Sequence, residues 1–272
     1  MNRLSIAALL LLNAGCPGLD PVLPDAAVTD AQINHDGLSC LPNNDGVVEQ
    51  GELTFVAGLG AVFVVNPPGT LAKLNPAGHW VEGQTEWDFS DNSGVAVKMT
   101  VEPVSGWYAQ HFPGADIAMG VTAKADTLQI LKIEKGRVLL MGIVSRQPEQ
   151  TLMIYDPPIE AMRFPLRRGL SFTSTSRLKE GSKVNGLPFY SEDTYTVSIN
   201  RQGTLRLPHL RLHKVLLIET LVTIRAVGGI VKTTRQLQWF AECYGEVVRA
   251  LSAADEPSAL FTEAIELRRL SL

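Results

Sequence analysis

The residues best placed to do chemistry lie early in the chain, in SCLPNNDGVVEQGEL at 39–53. Aligned on Gly46 as the sixth position of an EF-hand calcium loop, Asn43 falls third and Asp45 fifth, while Val47 offers a carbonyl at the seventh. Glu49 then falls ninth and Glu52 twelfth. Oxygens at those positions wrap one hard cation, with glycine making the sharp turn and the last glutamate binding through both oxygens. The first position is Leu41, which brings no side-chain ligand. A calcium site here would be weak. An Asn-Asp-Gly turn followed by a solvated acidic stretch accounts for the same residues, and the missing ligand favours it.

Other chemistry finds less support. The histidines stand at 35, 79, 111, 209 and 213. His209 and His213 sit among alternating leucines (205, 207, 210 and 212), a strand pattern that would hold them ~13 Å apart. Metal–nitrogen bonds of ~2 Å cannot bridge that gap. No HExxH, paired-cysteine zinc motif or G-x-S-x-G elbow occurs. Gly58-x-Gly60 is followed by Phe63 where a dinucleotide fingerprint needs a small residue. The carboxylate pairs Asp88/Asp91 and Glu263/Glu266 read as surface charge, so no enzyme is expected and no cofactor beyond the calcium candidate. Trp80, Trp87, Trp107 and Tyr108, then Phe189-Tyr190 and Trp239-Phe240, could form a platform for sugars, but core packing of a β-domain explains the same residues and is favoured. A net charge of −4 over 272 residues gives no support to nucleic-acid binding.

The elements that must carry these residues read as strands. In Thr194–Asn200 (TYTVSIN), Tyr195, Val197 and Ile199 share one face and the hydroxyl residues the other, the period of two of a half-buried strand. Leu216 to Ile224, Val231–Cys243 and Gly245–Leu251 continue the alternation, with Gly228-Gly229 ending one run. Asn185-Gly186 suits a tight hairpin because both residues tolerate positive φ. Pro208 suggests an edge or a bend. Only the last segment, around Leu260 to Leu267, could be helix, and it suits a closing strand equally. The expected fold is mainly β with little helix: an antiparallel β-sandwich, or a strongly curved and partly closed sheet. Its domain covers 54–272, with a possible subdivision near 145–165.

The N-terminus speaks to compartment. Arg3, the apolar run Leu4–Leu12 and the small residues Ala14-Gly15 before Cys16 have the build of a signal peptide over 1–15. The Ala-Gly-Cys junction resembles the lipobox of bacterial lipoproteins, which implies acylation of Cys16, although Asn13 stands where an aliphatic residue is usual. Residues 16–38 are proline- and aspartate-rich and lack aromatics, as in a flexible tether. In an oxidising compartment Cys40 and Cys243 either pair, closing a loop of about 200 residues, or remain free thiols.

Further motifs run in order: Trp87-Asp88-Phe89-Ser90, Tyr155-Asp156-Pro157-Pro158, Arg163-Phe164-Pro165-Leu166, Gly169 and Gly203-Thr204-Leu205-Arg206-Leu207-Pro208. Over roughly residues 80–250 the chain resembles uncharacterised exported β-proteins and lipoproteins of myxobacteria and Bacteroidota. That resemblance implies export and a β-rich fold, and no particular activity. The expectation is an exported lipoprotein, anchored through its N-terminal lipid to the bacterial membrane, with the outer membrane favoured. It would act as a binding or structural module for an envelope protein or glycan. The alternatives are a carrier of lipid or another hydrophobic ligand in a β cavity, and a glycan-binding domain.

Overall fold

The computed structural model describes residues 40–122, 126–148 and 150–271. Residues 1–39, with the signal-peptide segment, Cys16, the tether and His35, lie outside the described residues. In chain order the strands begin with β1 (Val47–Val48), β2 (Gly60–Val65), β3 (Ala72–Lys73), β4 (His79–Val81) and β5 (Gln84–Asp88). Next come β6 (Val95–Pro103), β7 (Ile117–Gly120), β8 (Thr127–Glu134), β9 (Arg137–Ser145), β10 (Leu152–Arg163) and β11 (Leu166–Arg167). Then follow β12 (Ser171–Leu178), β13 (Lys183–Val184), β14 (Leu187–Pro188), β15 (Ser191–Arg206) and β16 (Arg211–Ala226). The last four are β17 (Val231–Ala241), β18 (Gly245–Ala254), β19 (Glu263–Ala264) and β20 (Glu266–Ser271).

Of the shapes the sequence allows, the curved sheet forms, and it closes. The order β10-β9-β8-β7-β6-β2-β20-β18-β17-β16-β15 runs through antiparallel neighbours, and β12 pairs with both β15 and β10 to complete a twelve-strand barrel. The wall thus takes strands from both sides of residues 145–165. Closure removes the exposed edges that an open sheet would leave. Outside the ring, β5 pairs in parallel with β15 at Gly203–Arg206 and carries β4 at its far edge. Gly203 makes this possible, since a Cβ there would meet the Thr85 carbonyl oxygen at 2.3 Å.

Local chemistry explains the turns. Asn185 and Gly186 both take positive φ (50° and 74°) in the two-residue turn between β13 and β14, the type I′ pattern that matches strand twist. Pro157-Pro158 cannot donate to a ladder. Accordingly the β10–β9 register jumps from Ile154↔Gly142 to Ile159↔Leu140. Pro208 bends the chain fully, so the leucines at 205 and 212 face each other across the β15–β16 hairpin rather than lying along one strand. His209 is in that hairpin's turn and His213 is on β16. The C-terminal segment forms β19 and β20, not helix.

Alternation then sorts the faces. Phe172, Val197, Ile199, Leu216, Ile218 and Phe240 share the inward face and form one buried cluster. Thr173 and Thr196, and Thr175 and Thr194, pair on the outward face with hydroxyls 3.4 and 3.0 Å apart. A membrane-spanning barrel would show apolar residues outward on these strands; these are polar. Elsewhere the wall is wrapped. The 104–116 segment lays Tyr108 and Phe112 on Ile130 and Val144, and β3–β5 with the 255–265 return bury Trp87, Phe89, Trp239 and Phe261. Trp87 donates its indole N–H to the Pro76 carbonyl at 2.9 Å.

Candidate functional site

The acidic element forms a stopper across one end of the barrel. Cys40 is joined to Cys243, in the β17–β18 turn, by a disulfide with Cα atoms 5.5 Å apart. The chain then crosses the mouth: the Gln202 amide donates to the Gly46 carbonyl, β1 pairs with β11, and Gln50 reaches the β8–β9 turn. There its side chain donates to the Glu134 carbonyl and accepts the Gly136 N–H. Val48, 1% exposed, enters the inward cluster with Leu166, Ile199 and Phe240, and Leu53 packs beside it.

The calcium candidates are all on this stopper, but their oxygens serve the backbone. Asp45 accepts the Val47 N–H at 2.7 Å and the Asn43 amide at 3.1 Å, and Asn43 Oδ1 accepts the Asp45 N–H. Glu49 and Glu52 form a reciprocal capping box around the 3-10 turn Gln50–Glu52, with Glu52 accepting the Glu49 N–H at 2.9 Å. Val47 is a strand residue paired with Arg167. Among the described residues, no group of three or more His, Cys, Asp or Glu converges as a metal centre requires. Gly46 has φ of +82°, and its missing Cβ admits Gln202, whose amide nitrogen would lie 2.0 Å from such an atom. Glu242 holds the turn in place, accepting the Asn44 and Gly46 N–H groups at 2.7 and 3.0 Å while only 6% exposed. Its signal in the sequence is a single acid inside the apolar run Leu237–Cys243.

The other end is closed by the β13–β14 hairpin, where Val184 and Phe189 join Met153, Tyr155, Leu178 and Tyr195 in a buried cluster. Beneath it lies a polar layer. Tyr155 and Ser191 donate to the two oxygens of Asp193 at 2.9 and 2.6 Å. Burial raises the Asp193 carboxyl above its usual value, against the lowering by those two hydrogen bonds. Burial likewise pushes the Tyr195 phenol up to about 12, with the neighbouring Asp193 charge adding to it.

Further along, Arg268 bonds Glu246, Gln238 donates to the other Glu246 oxygen, and Arg249 bonds Gln236. Arg249 also reaches across the lumen to the Val121 carbonyl at 3.3 Å. Burial and then Arg268 bring the Arg249 guanidinium down to about 10. At Glu246 burial raises the carboxyl, but Arg268 and Arg249 outweigh it and leave it below the usual range. These charges stand in GEVVRALSAA, where Glu246 and Arg249 interrupt an apolar run.

The remaining candidates are scattered. His79 is on the outer strand β4 near Asn75, His111 packs against Trp107, and His213 Nδ1 is 3.4 Å from Thr204 Oγ1. Asp88 and Asp91 each accept the N–H two residues on, from Ser90 and Ser93. Glu263 and Glu266 lie on β19 and β20. Trp87 and Trp239 are fully buried with rings in edge contact, whereas Trp80 is exposed. A pocket beside the β15–β16 turn, lined by Leu207, Pro208, His209, Leu210, Leu270 and Ser271, has a volume of about 10 Å³. Compared with known proteins, the chain matches no family, no curated protein and no solved structure.

Proposed function

We propose that this protein is a membrane-anchored lipoprotein of the bacterial envelope whose barrel serves as a binding or structural module, meeting its partner on its outer surface. One observation supports this reading: buried side chains of the chain itself gather on the inward face, and the stopper and the β13–β14 hairpin lie at its two ends. A carrier needs an apolar cavity of several hundred Å³. Here the inward face holds Phe172, Ile199, Leu216 and Phe240 in one buried cluster, and elsewhere the separate hydrogen-bonded pairs Tyr155–Asp193 and Arg268–Glu246. The anchor is read from the Ala14-Gly15-Cys16 junction.

Two measurements test the two halves. Metabolic labelling with a fatty-acid analogue should mark the wild type and not Cys16→Ser; equal labelling removes the anchor. Extraction of the purified protein should yield no lipid in stoichiometric amount from the barrel. One bound lipid per chain, retained in Cys16→Ser, would establish the carrier instead.

A further inference from the structure

We propose that the β16–β17 hairpin tip inserts into the surface of an anionic lipid bilayer. The tip is RAVGGIVK, Arg225–Lys232. Its last ladder pair is Arg225↔Val231, and the loop beyond is closed by Ala226 N–H to the Ile230 carbonyl and Gly229 N–H to the Ala226 carbonyl. The side chains that crown it are apolar yet uncovered: Val227 is 77% exposed, Ile230 46% and Val231 51%. The Val227 N–H bonds the Tyr190 carbonyl, which brings exposed Tyr190 and the β14 residue Leu187 onto the same rim. Single exposed valines occur elsewhere, but here three exposed apolar side chains gather on one convex turn, which calls for an apolar or interfacial surrounding.

Charge identifies that surrounding. Segments 177–192 and 225–232, the part of this barrel end around the tip, hold five lysines and arginines against two glutamates, of which Glu192 is the ladder partner of Arg225 and pairs with Arg177. Arg225 and Lys232 flank the apolar crown directly, on neighbouring strands. The nearest acid on β17's other side, Asp255, lies below the tip with its carboxylate on the Thr233 N–H at 2.9 Å. Apolar tips with a cationic collar lower themselves into the headgroup layer of anionic lipid, the apolar part entering and the cations staying with phosphate. A concave partner surface is not needed. The tip also stands at the barrel end opposite Cys40, so tether and tip are separate attachments.

The test uses the full chain carrying Cys16→Ser, so that an acyl group plays no part and the anchor reading stands or falls separately. Hydrogen exchange read by mass spectrometry is followed with phosphatidylglycerol vesicles and with phosphatidylcholine vesicles. Amides of 226–231 should slow with the first and remain unchanged with the second. Arg225→Gln and Lys232→Gln should each weaken vesicle binding about fivefold. Val227→Asp with Ile230→Asp should abolish tip protection while leaving the melting temperature unchanged, since both side chains are exposed in the wild type. Unprotected tip amides on phosphatidylglycerol, or equal protection on both lipids, overturns the proposal. So does tip protection by an acidic protein in the absence of any response to vesicles.

Discussion

Asp193 and Glu246 are both buried carboxyls, yet their surroundings push them in opposite directions. Asp193 has only hydroxyl donors, so the folded state holds its proton to higher pH than the unfolded chain does. Its contribution to stability is therefore fully present below the ordinary aspartate value of 3.8 and is lost as pH rises through the raised one. Asp193→Asn cannot ionise and keeps an acceptor for Tyr155. In urea unfolding at stepped pH, the Asn variant should gain on the wild type from about pH 4 towards neutrality; a constant difference would contradict the buried-carboxyl account. Glu246 is the reverse case. Two arginines hold it ionised, so its contribution is present above the ordinary glutamate range and is lost as pH falls through its lowered value. Glu246→Gln leaves Arg268 without its carboxylate and should cost about 3–5 kcal/mol, while adding Arg268→Met should restore part of that loss. Greater loss in the double variant would show that Arg268 has stabilising contacts beyond Glu246.

The stopper is an element whose hold on the barrel comes from one side chain more than from its two-residue strand pairing. Val48 fills the mouth, and shortening it to alanine should cost about 2 kcal/mol of unfolding free energy. Val47→Ala, on the alternate face, should cost little by comparison. Equal losses would mean that the element is held by its backbone bonds and by Glu242. A second element depends on a missing side chain. Gly142 on β9 lies under Phe112 of the 104–116 segment, and a Cβ there would meet the Met153 carbonyl oxygen at 2.2 Å and the Phe112 ring at 2.4 Å. Gly142→Ala should therefore destabilise by at least about 1–3 kcal/mol and should raise proteolytic nicking between 104 and 116. Native-like stability with an intact loop would show that the segment lifts freely.

At the scale of the molecule, the disulfide spans 203 positions and ties the stopper to the hairpin between β17 and β18. Loop-closure entropy for so long a loop is about 5 kcal/mol, an upper figure where the unfolded chain keeps residual structure. Cys40→Ser, Cys243→Ser and the double variant should lower stability alike, because each removes the same cross-link. A double variant clearly worse than either single one would mean that the two sulfurs contribute by packing instead. The barrel itself should survive the loss, since the ring closes through β12 and not through the stopper.

Period-two alternation, turn glycines and prolines determined the local structure of this chain, because those signals depend only on neighbours in sequence. TYTVSIN became part of β15 with Val197 and Ile199 buried, Asn185-Gly186 made its hairpin, and Gly228-Gly229 ended β16. The same signals show that two faces exist without saying what each face meets. Only the tertiary structure decided that β12 bridges β10 and β15 to close the wall, and that Cys40 meets Cys243. It also placed the acidic stretch as a stopper whose carboxylates accept backbone N–H groups. Those outcomes join residues up to about two hundred positions apart. They follow from the requirement that every strand edge and every inward side chain find a partner at once, a condition no short stretch of sequence can express.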